Sequence, residues 1–291
     1  MITVDTKLVA LLGTPLRQSF STRMQNAAFR KYGVDMEYFP IESGPEDLEA
    51  IISAVRHMNF AGLGVTKPCK QAVIRYLDGL DELAEKMGAV NTIVCKDGKL
   101  IGYNTDGKGC VRAVKEAYGG DLREAALLCL GAGGSGSAVC CTFASAGVKK
   151  LYITDVRAES AQKLVSDINE KFAPVAEYVP FSDGALCRTA AECGIIMNHT
   201  GVGMAPHTEK SPVSRGVFRE GMLAFDATYN PARTQFLKDA ESCGCRVLNG
   251  LGMLVYQGAY QFELWTGREN PAECMFGTVS EIMAEKQKDV R

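Results

Sequence analysis

Two ionisable residues stand in surroundings that suit proton traffic. Lys70 closes the segment GLGVTKPCK (residues 62–70), and Asp106 lies in GYNTDG (residues 102–107). Glycine, hydroxyl and amide residues around them leave room for a polar substrate. A lysine–carboxylate pair can pass a proton to and from an alcohol oxygen. Lysine ordinarily titrates near about 10.4, so burial and local dipoles must tune it while the carboxylate orients it. By type alone Lys70 is an ordinary surface lysine. Two further segments, GAVNT (residues 88–92) and GLGMLVYQGAYQF (residues 250–262), have the same small and amide character.

A second constellation is glycine-rich. Gly131, Gly133 and Gly136 complete G-x-G-x-x-G, with Ala132, Gly134 and Ser135 between them. An apolar run precedes it and a helix-patterned run follows. There the first glycine permits a tight turn, the second lets amides approach a pyrophosphate, and the third lets helix and strand pack closely. The positive end of the helix faces the phosphates. Asp155 ends the next apolar run, about 20 residues past the last glycine, where an acid bonds the adenosine ribose hydroxyls. A carboxylate there repels the 2′-phosphate of NADP, so NAD is the expected cofactor. Arg157, two residues on, keeps NADP open, since arginine can accept that phosphate. The plainer alternatives are a merely glycine-rich turn and an Asp155 that caps the next helix.

These residues need elements to hold them. Residues 8–12, 36–41 and 62–65 read as strands, and residues 21–32 and 45–57 as helices. The βαβ alternation predicts a mostly parallel sheet. Residues 93–95 and 100–101, joined through Asp97-Gly98, predict a hairpin with a type I′ turn, and Asp106 falls in a turn after it. A second α/β series starts near residue 125. Its strands are 126–130, 151–154, 195–197, 223–225 and 246–248, with a helix over 137–146 and a helical C-terminus led by Gly250, Gly252 and Gly258.

Composition narrows the partners. In 291 residues, 46% are hydrophobic and 23% charged, which suits a well-buried core, and the net charge of -2 gives no basic field for nucleic acid or an anionic membrane. A small molecule is the expected partner. The 11 cysteines include no C-x-x-C pair, so buried free thiols in a reducing cytoplasm are expected. His57, His199 and His207 are scattered, and no metal is expected. The N-terminal run reads as neither a signal peptide nor a membrane span. Oligomeric state, monomer or homodimer, leaves no mark.

The four substrate-like segments, together with GTPLRQSFS (residues 13–21), GAGGSG (residues 131–136), NHTGVGM (residues 198–204) and YNPARTQFL (residues 229–237), resemble the shikimate/quinate dehydrogenases, in order, from about residue 8 to residue 270. The likeness is closer to the branch that accepts quinate as well as shikimate. Gly64 stands where strict shikimate enzymes usually carry asparagine, and Met24-Gln25-Asn26 and residues 261–265 resemble that branch too.

The resemblance implies two α/β domains with a cleft between them. Residues 1–106, completed by C-terminal helices over 251–291, would bind substrate, and residues 107–250 would form a Rossmann NAD(P) domain. It implies hydride transfer between the nicotinamide and the carbon bearing the C3 hydroxyl of shikimate, quinate or a close relative. Lys70 and Asp106 match the catalytic pair. Ser19 and Ser21 match carboxylate-binding hydroxyls, and Thr66, Asn91 and Gln257 match binders of ring hydroxyls. Tyr38 and Tyr229 match positions lining the pocket. Thr200 falls in the NHTGVGM segment on the cofactor side, and Ala227 and Gly250 match positions near the nicotinamide. Three residues depart from the pattern: Gln18 for histidine, Thr22 for proline, and His199 for a small residue. The alternatives are a same-fold dehydrogenase for an amino-substituted or otherwise altered acid and a non-catalytic NAD-binding regulator. The intact Lys70, Asp106, Asn91, Ser19 and Ser21 speak against the regulator.

Overall fold

Apolar runs buried on both faces alternate with one-sided helices throughout the structure, a computed structural model that describes residues 2–17, 19–269 and 271–289. The Gln18 departure lies outside the described residues. The chain divides into two compact units, one running to Thr105 and resuming at Val255, the other Asp106–Leu254.

The first unit contains β1 (Lys7–Gly13), α1 (Ser21–Lys31), β2 (Met36–Glu42), α2 (Leu48–His57), β3 (Phe60–Val65), α3 (Cys69–Ala72), β4 (Gly79–Leu80), α4 (Glu82–Met87), β5 (Thr92–Lys96) and β6 (Lys99–Tyr103). Its sheet runs β2-β1-β3-β5-β6-β4. β1 pairs in parallel with β2 and β3, whereas β3–β5 and β5–β6 are antiparallel. Every residue of β3 is buried, as expected of a strand covered on both faces. The hairpin turns on Asp97 (φ 52°) and Gly98 (φ 75°), the left-handed pair a type I′ turn requires. The helix expected over 45–57 opens as a 3₁₀ turn at Pro45–Asp47 before α2 begins. Ala10, Leu12, Leu48, Leu63, Val65 and Ile93 lie at the centre of the core.

The second unit corrects one expectation. Asp106 is not in a turn but is the first residue of α5 (Asp106–Tyr118). Gly107, which reads as a turn residue, is what allows this helix to pack closely on the next. A Cβ on Gly107 would stand 1.8 Å from Thr142 Oγ1, so only glycine admits this approach of α5 to α6. Then follow β7 (Ala126–Leu130), α6 (Gly134–Ser145), β8 (Lys150–Thr154), α7 (Ala158–Lys171), β9 (Ala176–Tyr178), α8 (Asp183–Ala190), β10 (Ile195–Asn198), β11 (Leu223–Asp226), α9 (Gln235–Ser242) and β12 (Arg246–Asn249). The sheet order β12-β11-β10-β7-β8-β9 is parallel throughout. This is the doubly wound order, in which the chain reverses direction across the sheet between β7 and β10. Ligands of such sheets bind at the carboxyl ends of the strands flanking that reversal.

The chain continues as α10 (Leu251–Thr266) and α11 (Ala272–Asp289). Within the first unit α10 is fastened by side chains. Gln25 Nε2 of α1 donates to the Gly258 carbonyl at 2.8 Å, and Trp265 Nε1 donates to the Ile93 carbonyl at 3.0 Å. All eleven cysteines are free thiols. Among the described residues no helix is long and apolar enough to cross a membrane.

Candidate active site

The glycine motif of the second unit is held by two close approaches. Gly131 leaves β7 with φ +102°, and a Cβ there would lie 3.1 Å from the backbone of His199 and Thr200 at the exit of β10. A Cβ on Gly136 would lie 1.9 Å from the Gly131 carbonyl oxygen. The first turn of α6 is thereby pressed onto the end of β7. At Gly133 and Gly134 the opposite holds: an added Cβ would meet nothing within 4 Å. The first-turn amides of a helix have no intrahelical acceptor, and at this positive end the surroundings of Gly133 and Gly134 are open. A cavity of about 510 Å³ adjoins them, lined by Gly131, Gly133, Asp155, His199 and Thr200, with Arg157 and Lys210 as cations and Val156 and Phe181 as apolar walls. The bare amides, the cavity and the apolar walls fit the diphosphate and base of a dinucleotide. Among the described residues no cluster of three or more histidine, cysteine, aspartate or glutamate side chains could hold a metal ion.

Asp155 tightens this loop rather than capping a helix. Its Oδ2 accepts from the Ala132 amide at 2.8 Å and its Oδ1 from the Arg157 amide at 2.9 Å. The residue preceding α7 is Arg157, which makes no side-chain cap. Each carboxylate oxygen has further lone pairs for ribose hydroxyls. The Arg157 and Thr200 side chains are exposed at the rim.

Behind the loop lies a polar network that sequence reading missed. Asp226, at the end of β11, is fully buried. Its Oδ2 accepts from Thr234 Oγ1 (2.6 Å) and Asn198 Nδ2 (3.1 Å), and its Oδ1 from the Thr228 amide (2.9 Å). Burial pushes its pKa up, opposed by these hydrogen bonds. Asn198 Oδ1 in turn accepts from the Thr200 amide and hydroxyl, and the Gly250 amide donates to the Thr228 carbonyl at 3.1 Å. One carboxylate therefore joins the loops that carry Thr200, Ala227, Tyr229 and Gly250. Burial pushes the half-buried Tyr229 hydroxyl's pKa up. A buried apolar run closed by a single acid was the available sign of Asp226.

In the first unit, Gln257, Thr66 and Lys70 are linked to the segment around Asn91, whereas the described bonds of Ser19, Ser21 and Tyr38 lie elsewhere. Asn91 is buried. Its Oδ1 accepts from the Thr105 amide (2.8 Å), and its Nδ2 donates to Thr105 Oγ1 (2.9 Å) and Gln257 Oε1 (3.5 Å). Its carbonyl accepts from Val65, next to Thr66, at 2.7 Å. One residue earlier, the Val90 amide donates to the Lys70 carbonyl at 2.9 Å. Lys70, Thr66, Asn91 and Gln257 are thus tied to one segment. Ser19 Oγ accepts from the Ser21 amide at 3.2 Å at the start of α1. Tyr38 is held by Asn26, whose side chain bonds both its amide and its carbonyl at 2.8 Å. The Tyr38 hydroxyl is buried without a partner among the described residues, and a Cβ on Gly64 would lie 2.6 Å from it. Gln261, another residue sequence reading gave no site role, donates to the Asn91 carbonyl at 3.1 Å and to Thr92 Oγ1 at 3.0 Å. Asp106, half-buried, heads α5 in the second unit.

With these geometries in place, comparison with known proteins is informative. Residues 11–93 match the family described as the shikimate dehydrogenase substrate binding domain, and residues 250–275 match the shikimate 5′-dehydrogenase C-terminal domain. The chain is 40% identical to the shikimate dehydrogenase (NADP(+)) of Moorella thermoacetica, over 97% of this chain and 95% of the relative. Its structure is similar to that of shikimate 5-dehydrogenase from Listeria monocytogenes in complex with shikimate and NAD. There the TM-score is 0.91 and the identity 39%, with 97% of this chain and 98% of that chain covered. Quinate dehydrogenase from Corynebacterium glutamicum, in complex with NAD, is similar with a TM-score of 0.88 and 31% identity, covering 95% of this chain and 99% of that chain.

His199 gives the site a pH signature. Burial lowers its pKa from 6.5 to about 4. The folded protein therefore keeps this imidazole neutral where the unfolded chain already binds a proton. Its contribution to stability is complete above pH 6.5, falls as the pH drops from 6.5 to 4, and levels off below. Urea unfolding of wild type and His199→Asn across that range should show wild type losing about 3 kcal/mol more than the variant. Parallel curves would mean that the ring is solvated.

Proposed function

Since the chain belongs to the shikimate dehydrogenase family, we propose that it oxidises, reversibly and with NAD(P), the C3 hydroxyl of shikimate and of quinate to the corresponding ketone. The observation that carries this reading is the Asn91-centred cluster. Neutral amides and hydroxyls, pre-aligned by backbone bonds, suit a polyhydroxylated ring and lie on the segment that anchors Lys70. Bound in the glycine cradle, the nicotinamide cofactor supplies hydride transfer. The chain supplies binding, orientation and proton transfer.

Lys70 is assigned the proton transfer to and from the reacting hydroxyl, and Asp106 a hydrogen bond to that hydroxyl. Ser19 and Ser21 hold the substrate carboxylate. Neutral donors do so without burying a cation. Thr66, Asn91 and Gln257 bind ring hydroxyls, while Tyr38 and Tyr229 line the pocket. Gly131–Gly136 and Thr200 hold the diphosphate side of the cofactor, and Ala227 and Gly250 border the nicotinamide. Gly64, at the position where strict shikimate enzymes usually carry asparagine, supports acceptance of quinate as well as shikimate. Free thiols throughout suit a reducing, cytoplasmic setting.

For the cofactor, NAD is the better fit. Asp155 fixes a negative charge in the cavity with lone pairs left for ribose hydroxyls, each such bond worth about 1.5–3 kcal/mol, and it repels a 2′-phosphate. NADP is a second reading, favoured by Arg157 and Lys210 at the same cavity and by the NADP(+) in the relative's name.

Two variants test these assignments. Lys70→Ala should lower kcat by roughly 10²–10⁴ with NADH affinity unchanged, measured by steady-state kinetics and fluorescence titration. Activity within a few-fold of wild type would remove Lys70 from the reaction. Wild type should prefer NAD in kcat/KM, and Asp155→Ser should narrow or reverse that preference. A wild type that prefers NADP and ignores Asp155→Ser would give the decision to Arg157.

A further inference from the structure

His199 lines the cofactor cavity, departs from the small residue expected there, and has no task in the reading above. The residue is 8% exposed and its ring lies against Phe225, with centroids 5.5 Å apart. Nδ1 is 3.1 Å from Ser135 Oγ, whereas Nε2 is buried without a hydrogen-bond partner among the described residues. Burial keeps the imidazole neutral at pH 7, and a neutral imidazole carries one N–H. On Nε2 that proton would be a buried donor with no acceptor, a rare and costly arrangement. On Nδ1 it donates to Ser135 Oγ.

The choice of tautomer decides what Ser135 can offer. Ser135 is exposed in the first turn of α6, beside Gly133 and Gly134, whose surroundings are open. If its hydroxyl proton goes to Nδ1, the oxygen turns a lone pair toward any anion over the helix end. If Nδ1–H donates to the oxygen instead, the hydroxyl proton is released to point outward.

We propose that His199, as the Nδ1–H tautomer, donates to Ser135 Oγ and so fixes the Ser135 hydroxyl as a donor to a diphosphate oxygen of the dinucleotide. His199 is then a positioning residue for cofactor binding, one that touches the diphosphate only through Ser135. The inference rests on the dinucleotide reading of this cavity.

The test uses NADH and the full-length protein. A charge-assisted hydrogen bond to phosphate sets the scale. Ser135→Ala and His199→Leu should each raise the Kd for NADH about tenfold. The double variant should be no weaker than about twofold below either single one, because both remove the same bond. His199→Asn, whose amide N–H can stand near the Nδ1 position, should bind within about threefold of wild type. Independently of any variant's packing, ¹⁵N spectra of the three histidines, with His199 assigned by its loss in His199→Asn, should show the proton on Nδ1. An Nε2–H tautomer, a Ser135→Ala Kd within twofold of wild type, or additive losses in the double variant would overturn the proposal. A wild type that binds neither NADH nor NADPH would take down the dinucleotide reading as well, whereas dinucleotide binding indifferent to Ser135 and His199 overturns this inference alone.

Discussion

The approach of Gly136 to the carbonyl of Gly131 is the constraint on which the cofactor side of this protein rests. With 1.9 Å between that oxygen and the place a Cβ would occupy, the start of α6 can sit on the end of β7 only if residue 136 has no side chain. That seating aims the first-turn amides of α6 at the strand ends where the sheet order reverses. Asp155 then braces the turn from the β8 side through the Ala132 amide. Asp226 braces it from behind, through Asn198 and the loop bearing Thr200. Two acids separated widely in sequence thus serve one end of one sheet, the first at the cavity and the second fully buried. Among the described residues Asp226 has no cation as a hydrogen-bond partner, so hydrogen bonds from Thr234, Asn198 and Thr228 offset the cost of burying it.

The substrate unit solves a different problem. A ring crowded with hydroxyls and one carboxylate must be held by groups that are polar yet cheap to bury. Asn91, Gln257, Gln261, Asn26 and Gln25 are all buried amides, and each has a protein partner that fixes its direction. Such a network is rigid when its members are satisfied. Gln25 Oε1 and the Tyr38 hydroxyl are the exceptions, buried without a partner among the described residues, and that hydroxyl occupies the place a side chain at Gly64 would take. α10 serves this unit with Gln257, Gln261 and Trp265 along one stretch of helix, which accounts for the amide and aromatic residues in a segment otherwise apolar.

Much of this was legible in the sequence, because the features that show are those with a fixed spacing or an obligatory residue. Strand runs, the Asp97-Gly98 turn, the glycine motif and Asp155 each follow from local chemistry. What stayed hidden depends on tertiary contact. α5 was obscured because Asp106-Gly107 read as a turn, and the benefit of Gly107 appears only once Thr142 stands against it. Asp226 is a lone acid after an apolar run, and nothing nearby in sequence announces Asn198 or Thr234 as its partners. Thr105 and Gln261 orient Asn91 through bonds that periodicity cannot foretell. The departure at His199 was visible as a residue, but its pairing with Ser135 was not.

Hydride transfer from the ring carbon is the central step of the proposed reaction, and isotope labelling reads it directly. The protein incubated with NAD and shikimate bearing deuterium at C3 should yield the ketone and a reduced nicotinamide carrying that deuterium at C4, as followed by mass spectrometry and NMR. Binding of both molecules with no deuterium found in the cofactor would contradict the account.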